Sequence, residues 1–166
     1  MKIAIDVFYR ENTAKIVAAV FDHWTDHSPN EFVIKYKSPV ADYIPGEFFK
    51  RELPCLIEII DDFELSKIEV IIIDGYVYLD DNHKPGLGTY LYQYLDGKVP
   101  IIGVAKTSYF QNAKLVKEVL RGKSKQPLYV TAIGVNLDEV AMDIWSMYGE
   151  FRMPHILKLI DSETKK

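Results

Sequence analysis

Four branched apolar residues in a row, Val70-Ile-Ile-Ile73, run into Asp74 and the turn residue Gly75. A strand half open to water alternates apolar and polar side chains, so an unbroken run is stable only where both faces are covered. A chain that carries it is confined to architectures with helices on both sides of a central sheet. The run from Pro100 to Ala105 repeats the pattern and ends in Lys106. Segments of helical spacing alternate with these runs. Leu53 to Phe63 places Leu53, Leu56, Ile57 and Ile60 on one face, with Pro54 expected in its first turn. Helices are expected again over Thr89 to Leu95, Gln111 to Arg121, Asp138 to Tyr148 and Pro154 to Asp161, and a strand over Leu128 to Ile133. Asn136 is placed to cap the fourth of these helices and Gly149 to stop it.

The first forty residues follow a different grammar. Residues 2–9 alternate and turn at Arg10-Glu-Asn-Thr13, Ala14 to Phe21 is β-branched with no helix cap, and Glu31 to Lys37 alternates again. Together they read as an antiparallel three-strand meander. Connections of helix length make the later strands parallel. The expected architecture is therefore α/β: a mixed central sheet, three antiparallel strands followed by parallel strands, flanked by helices. No repeat, low-complexity tract or linker divides the 166 residues, which are read as one domain.

Composition narrows the class of function. The net charge of −4 argues against a bulk electrostatic nucleic-acid binder but leaves room for a local basic groove. Cys55 is the only cysteine, on the apolar side of its helix, so it is read as core. No secretory pattern or membrane-length apolar run is present, and the expected setting is cytoplasmic with no membrane partner. The four histidines form no zinc signature. The Gly86-Leu-Gly88 element lacks the rest of any nucleotide-binding fingerprint.

Chemistry gathers at strand ends. Lys2-Ile-Ala-Ile-Asp6 and Val70 to Asp74 both finish in aspartate. If the strands are neighbours, the two carboxylates emerge together at the sheet edge where ligands bind in open α/β sheets. Adjacent carboxylates repel unless a cation joins them, and clustered carboxylate oxygens suit Mg²⁺ or Mn²⁺. Taken singly, Asp74-Gly75 is also an ordinary turn signal and Asp6 an ordinary edge residue. Glu52 sits at the start of the first helix, where the dipole favours a carboxylate, and Arg51 beside it can meet a phosphate or lie in solvent. Lys106 leaves its strand where it can hold a phosphate oxygen. Tyr43-Ile-Pro-Gly46 is a stiff turn with an aromatic at its tip, able to stack on bases or to fold over the core.

Taken together, these segments resemble the endonuclease V family, which has the ribonuclease-H-like fold. Asp6-Val-x-Tyr9 is similar to the family's Asp-Val-Ser-Tyr motif. Tyr43-Ile-Pro-Gly46 followed by Arg51-Glu52 and Pro54 matches its Tyr-Ile-Pro-Gly and Arg-Glu-x-Pro block in spacing. Asp74-Gly75, Gly103-Val-Ala-Lys106 and Phe151-Arg152-x-Pro154 through Asp161 resemble later motifs in the same order. The resemblance implies a Mg²⁺- or Mn²⁺-dependent endonuclease, expected to be monomeric. Such an enzyme cuts DNA or RNA, single-stranded or inosine-containing, at the second phosphodiester 3′ of a deaminated base. It implies Asp6, Glu52 and Asp74 as metal-binding and catalytic carboxylates and Lys106 as the phosphate contact. Tyr43 would be the wedge beside the recognised base, with Pro45, Gly46 and Gly75 completing the substrate contacts.

The chain also departs from the family pattern, as where the family's Ala-Ser-His element is replaced by Gly88-Thr-Tyr90. Where the family has Asp-Gly-x-Gly-x-x-His-Pro, this chain reads Asp74-Gly-Tyr-Val-Tyr-Leu-Asp80, with His83 and Pro85 displaced. Where a Gly-His-Arg motif is expected, it reads Ile133-Gly-Val135, and Asp138 and Glu139 are the nearby acids able to substitute. Two further readings stay open: a nuclease of this fold without inosine preference, and a catalytically silent nucleic-acid-binding relative.

Overall fold

A computed structural model describes residues 1–47, 49–109 and 113–166. The chain opens with β1 (Lys2–Arg10), β2 (Thr13–Phe21) and β3 (Glu31–Lys37), followed by α1 (Phe49–Ile60) and a 3₁₀ turn at Leu65–Lys67. Then come β4 (Val70–Asp74), α2 (Leu87–Tyr94), β5 (Ile101–Ala105), β6 (Lys117–Val119), β7 (Leu128–Ile133), α3 (Leu137–Ser146) and α4 (His155–Thr164). All seven strands join one sheet in the order β3-β2-β1-β4-β5-β7-β6.

The meander forms as expected, with β1–β2 and β2–β3 antiparallel. β4 lies parallel to β1, and β5 parallel to β4. The continuous apolar run of β4 is explained by its two covers. Ile71 and Ile73 face α1 and α2 together with Ile3, Ile5, Leu56 and Leu91. Val70 and Ile72 face α3 and α4 together with Ala4, Val104, Ile144 and Ile160. The pleat thus sorts odd-numbered β1 residues to the α1 face and even-numbered ones to the α4 face.

Three expectations are corrected. A helix over Gln111 to Arg121 does not form: residues 111 and 112 lie outside the described residues, and from Ala113 onward the chain turns and enters β6. Two non-local contacts win there. The Asp81 carboxylate accepts the amides of Ala113, Lys114 and Leu115 at 2.9, 2.7 and 3.3 Å, and Lys117–Val119 pairs with the outer edge of β7. Because β6 takes that edge and leads into β7 through the loop Arg121–Pro127, β7 lies antiparallel to β5, not parallel to it. Finally, α1 starts at Phe49, so Pro54 stands beyond the first turn, while Glu52 remains within it.

Gly103 is fixed by close approach. A Cβ there would lie 2.4 Å from the Gly75 carbonyl oxygen and 2.7 Å from Thr131 Oγ1. Thr131 is fully buried and its Oγ1 accepts the Val77 amide at 2.8 Å, so neither neighbour can retreat freely. Gly103→Ala is expected to cost about 3 kcal/mol, at the upper end of overpacking penalties, measured as a lower urea midpoint.

Candidate active site

Parallel pairing of Ile5 with Ile73 sets Asp6 and Asp74 level with each other at the end of β4. Asp6 does not end its strand: β1 runs on to Arg10 against β2, and Asp6 marks the point where β4 stops beside it. Both aspartates, with Lys106 from the exit of β5, line one pocket of about 360 Å³ on the α4 side of the sheet. Asp161 of α4 lines it as well. Asp6 Oδ1 accepts the Val7 amide at 2.9 Å.

The electrostatics record crowding. Partial burial, then Asp74, push the Asp6 carboxyl up to about 6, with Asp161 adding and the Val7 amide and Lys106 opposing. Asp74 is raised by the same desolvation, opposed by Lys106 and reinforced by Asp161. Glu52 reaches in from α1 on the other face. Burial raises it to about 7, opposed by a hydrogen bond with Tyr9 and reinforced by Asp6 and Asp74. Among the described residues, no Lys, Arg or His forms an ion pair with Asp6, Glu52 or Asp74.

Glu52 is held by an aromatic bracket. Tyr9, odd-numbered and so on the α1 face, has its hydroxyl 3.9 Å from Cys55 Sγ, and the Arg51 guanidinium stacks 3.7 Å from its ring centre. Burial and the neighbouring Glu52 raise the Tyr9 hydroxyl, which keeps it a donor. Arg51 Nε is buried with no hydrogen-bond partner among the described residues. Cys55 is fully buried, as its place on the apolar face requires.

Tyr43 and its turn lie ahead of α1. The Glu47 amide reaches the Ile44 carbonyl at 2.9 Å, with Pro45 and Gly46 between them and Gly46 at φ +80°. That is a turn with Pro first and a left-handed Gly second, the type II arrangement. Tyr43 is 60% exposed, so it is not folded over the core. Gly75 bends the chain out of β4 while its amide still reaches the Val104 carbonyl at 3.2 Å.

Sequence reasoning did not count several residues that shape this end of the sheet. Asp161, in sequence only the tail of a motif, is the acid that joins Asp6 and Asp74. Asp138 and Glu139 do not take that place: Asp138 pairs with Lys117 at 3.2 Å, and neither lines the pocket. Arg152 ties the α4 entry to β5, donating to the carbonyls of Pro127 and Lys106. The displaced loop is pinned by Asp80 Oδ1, which accepts the Asn82 and Lys84 amides at 2.8 and 3.0 Å, and by Asp81 on the segment 113–115.

Among the described residues, no three His, Cys, Asp or Glu side chains form a ready-made metal cage. The donor set nonetheless fits a hard divalent cation. Mg²⁺ is commonly held by one or two carboxylates, with water and substrate phosphate completing its shell. Asp6 and Asp74 supply such a pair, and the raised carboxyls gain most from a cation that deprotonates them. This has a measurable consequence. Asp6 and Glu52 bind protons in the folded chain that they release from the unfolded chain near 3.8 and 4.5. Their contribution to metal-free stability is therefore present at low pH and lost as pH rises through about 6 and about 7. Melting curves without metal are expected to show this decline, Asp6→Asn to flatten it, and Mg²⁺ or Mn²⁺ to raise the melting temperature more above about pH 7 than near about pH 4, the limits of the window.

Comparison with known proteins places the chain. The Endonuclease V family model matches residues 3–157. A curated relative, endonuclease V of Sulfolobus acidocaldarius, is 30% identical over 108 residues, 64% of this chain; the match spans about half, 49%, of that relative's length. Among solved structures, endonuclease V of Ciona intestinalis, in complex with a 24mer DNA containing an inosine followed by a ribo-adenosine, superposes with a TM-score of 0.81. Its identity is 16%, covering 99% of this chain and 84% of that one. Endonuclease V of Bacillus subtilis gives a TM-score of 0.72 at 22% identity, covering 99% and 78%. The mixed seven-stranded sheet is thus the ribonuclease-H-like fold of these neighbours, and the chain belongs to the endonuclease V family.

Proposed function

We propose that this chain is a Mg²⁺- or Mn²⁺-dependent endonuclease that hydrolyses a phosphodiester 3′ of a deaminated base, inosine, in DNA or RNA. Residues 1–166 act as one nuclease domain, monomeric and cytoplasmic. The carrying observation is the level placement of Asp6 and Asp74 on adjacent parallel strands, with no ion pair to neutralise them among the described residues. Family membership and the DNA bound to the Ciona intestinalis relative support the substrate class.

In this reading Asp6 and Asp74 hold the cation from the sheet, and Glu52 completes the acidic site from α1, directly or through water. A bound Mg²⁺ or Mn²⁺ supplies an activated water and neutralises charge at phosphorus and the leaving oxygen. Lys106 steadies a non-bridging phosphate oxygen. Arg51, stacked on Tyr9 beside Glu52, brings a positive charge toward the phosphate backbone. Tyr43, on its rigid turn, occupies the space beside the recognised base, with Pro45 and Gly46 setting its angle and Gly75 letting the backbone approach.

The test is cleavage of matched single-stranded DNA and RNA carrying inosine, guanine or adenine at one position, with Mg²⁺, Mn²⁺ or chelator. Metal-dependent cutting 3′ of inosine is the expected outcome, and no cutting of any strand would contradict it. The loop fixed by Asp80 and Asp81 favours a second reading, loss of base preference, because it stands where the family's Gly-x-x-His-Pro segment would be. Equal rates on all three bases would establish that reading.

A further inference from the structure

The pocket extends past the acidic groups along the sheet, and its apolar part has no role in hydrolysis. Its origin is topological. On this face α4 packs on β1 and β2, and α3 packs on β6 and β7, which leaves the central pair β4–β5 in the trough between them. Ile72 and Val104 floor the trough beside the small Ala4, and Met153, Leu157 and Ile160 wall it. At about 360 Å³ it falls within the range of small-molecule sites. Phe151 stands at its rim, 61% exposed, with Lys158 Nζ 5.3 Å from its ring centre. An exposed aromatic ring beside a cation, above an apolar slot, suits a flat base carried on a phosphate backbone.

The occupant follows from continuity with the acidic site. Asp6, Asp74 and Lys106 line the same pocket, so a strand whose phosphate sits there places its next base within reach. α1 packs on the opposite face of the sheet and Tyr43 stands on the turn just ahead of it, which puts the recognised base and this trough on opposite sides of the cut. We propose that the trough is a subsite for the base of the nucleotide immediately 3′ of the cleaved bond. That base stacks on Phe151 and contacts Met153 and Leu157, without hydrogen bonds that would read its edge. The proposal rests on the nuclease reading above and adds a contact on the leaving side of the cut.

The experiment places 2-aminopurine at that position in a single-stranded inosine oligonucleotide and follows its fluorescence in chelator, where no cutting occurs, alongside anisotropy of the whole strand. Binding is expected to quench the probe there and not when it is moved several nucleotides further 3′. Phe151→Ala and Leu157→Trp, the first emptying the rim and the second filling the slot, are each expected to weaken affinity about tenfold, as is an abasic site at the probe position. In the metal-supplemented reaction the same changes raise KM more than they lower kcat. Saturable binding with no position-specific quenching, or wild-type affinity in both variants, overturns the subsite and leaves the nuclease reading standing. Absence of both binding and cutting overturns the two together.

Discussion

Asp6→Asn and Asp74→Asn are each expected to slow metal-supported cleavage about a thousandfold, equivalent to about 4 kcal/mol of lost transition-state stabilisation. The folded chain should be no less stable for it. The amide keeps the size of the carboxylate and loses the anionic oxygen that a hard cation prefers. It also removes a crowded charge. Asp6 is raised by partial burial and by Asp74, and Asp74 by partial burial with Asp161 adding to it, so near neutral pH each carboxylate opposes folding. A fall in rate with a constant or higher melting temperature separates a functional acid from a structural one, whose loss would lower both. Single-turnover rates and melting curves of the same preparations give the comparison. Parallel losses of rate and stability would show that these aspartates serve the fold.

Arg121→Met is expected to be the most destabilising single change, by about 4 kcal/mol, or about 10 °C in melting temperature. Arg121 is only 4% exposed, and the cost of that burial pulls its guanidinium below the ordinary arginine value. Among the described residues it has no carboxylate partner; its donors go to backbone carbonyls. Nη1 reaches Phe151 and Arg152 at 2.6 and 3.3 Å, Nη2 reaches Met147 and, at 3.1 Å, Gly149, and Nε reaches Trp145 at 3.5 Å. These carbonyls form the end of α3 and the connector to α4, where the negative end of a helix dipole favours a cation. Methionine fills much of the space and leaves the carbonyls unpaired in a dry site, where an unsatisfied acceptor costs the full desolvation penalty. Because the connector carries Phe151 and Arg152 to the pocket, Arg121→Lys, with fewer donors, should fall between the two in urea midpoint. A midpoint for Arg121→Met within error of wild type would refute this role.

What was legible in the sequence was local. The unbroken run Val70–Ile73 demanded two covers and received them, and Asn136 caps α3 by accepting the Glu139 amide at 3.0 Å. Tyr43 and its Pro-Gly turn were readable because turn chemistry is written in adjacent residues. The misreadings concern contacts made far along the chain. Leu115, Val116, Val119 and Leu120 mimic a helical face, and only Asp81, with the open edge of β7, turns that stretch into a turn and a strand. The direction of β7 followed from that error, since a helical crossover implies a parallel return and a hairpin an antiparallel one. Asp161 is unmarked in the sequence because helical spacing in α4 says nothing about which strand end the helix overhangs. Arg121 gave no signal at all: within the loop Arg121–Pro127 it is indistinguishable from a solvated cation until the connector folds over it.

The most direct measurement is anomalous diffraction from crystals of the protein grown with Mn²⁺ and a bound inosine-containing strand. A manganese peak bridged by the carboxylates of Asp6 and Asp74, with Glu52 reached directly or through water and Lys106 on the adjacent phosphate, is the expected result. Manganese bound elsewhere, with those two carboxylates turned apart and the phosphate path leading away from them, would contradict it.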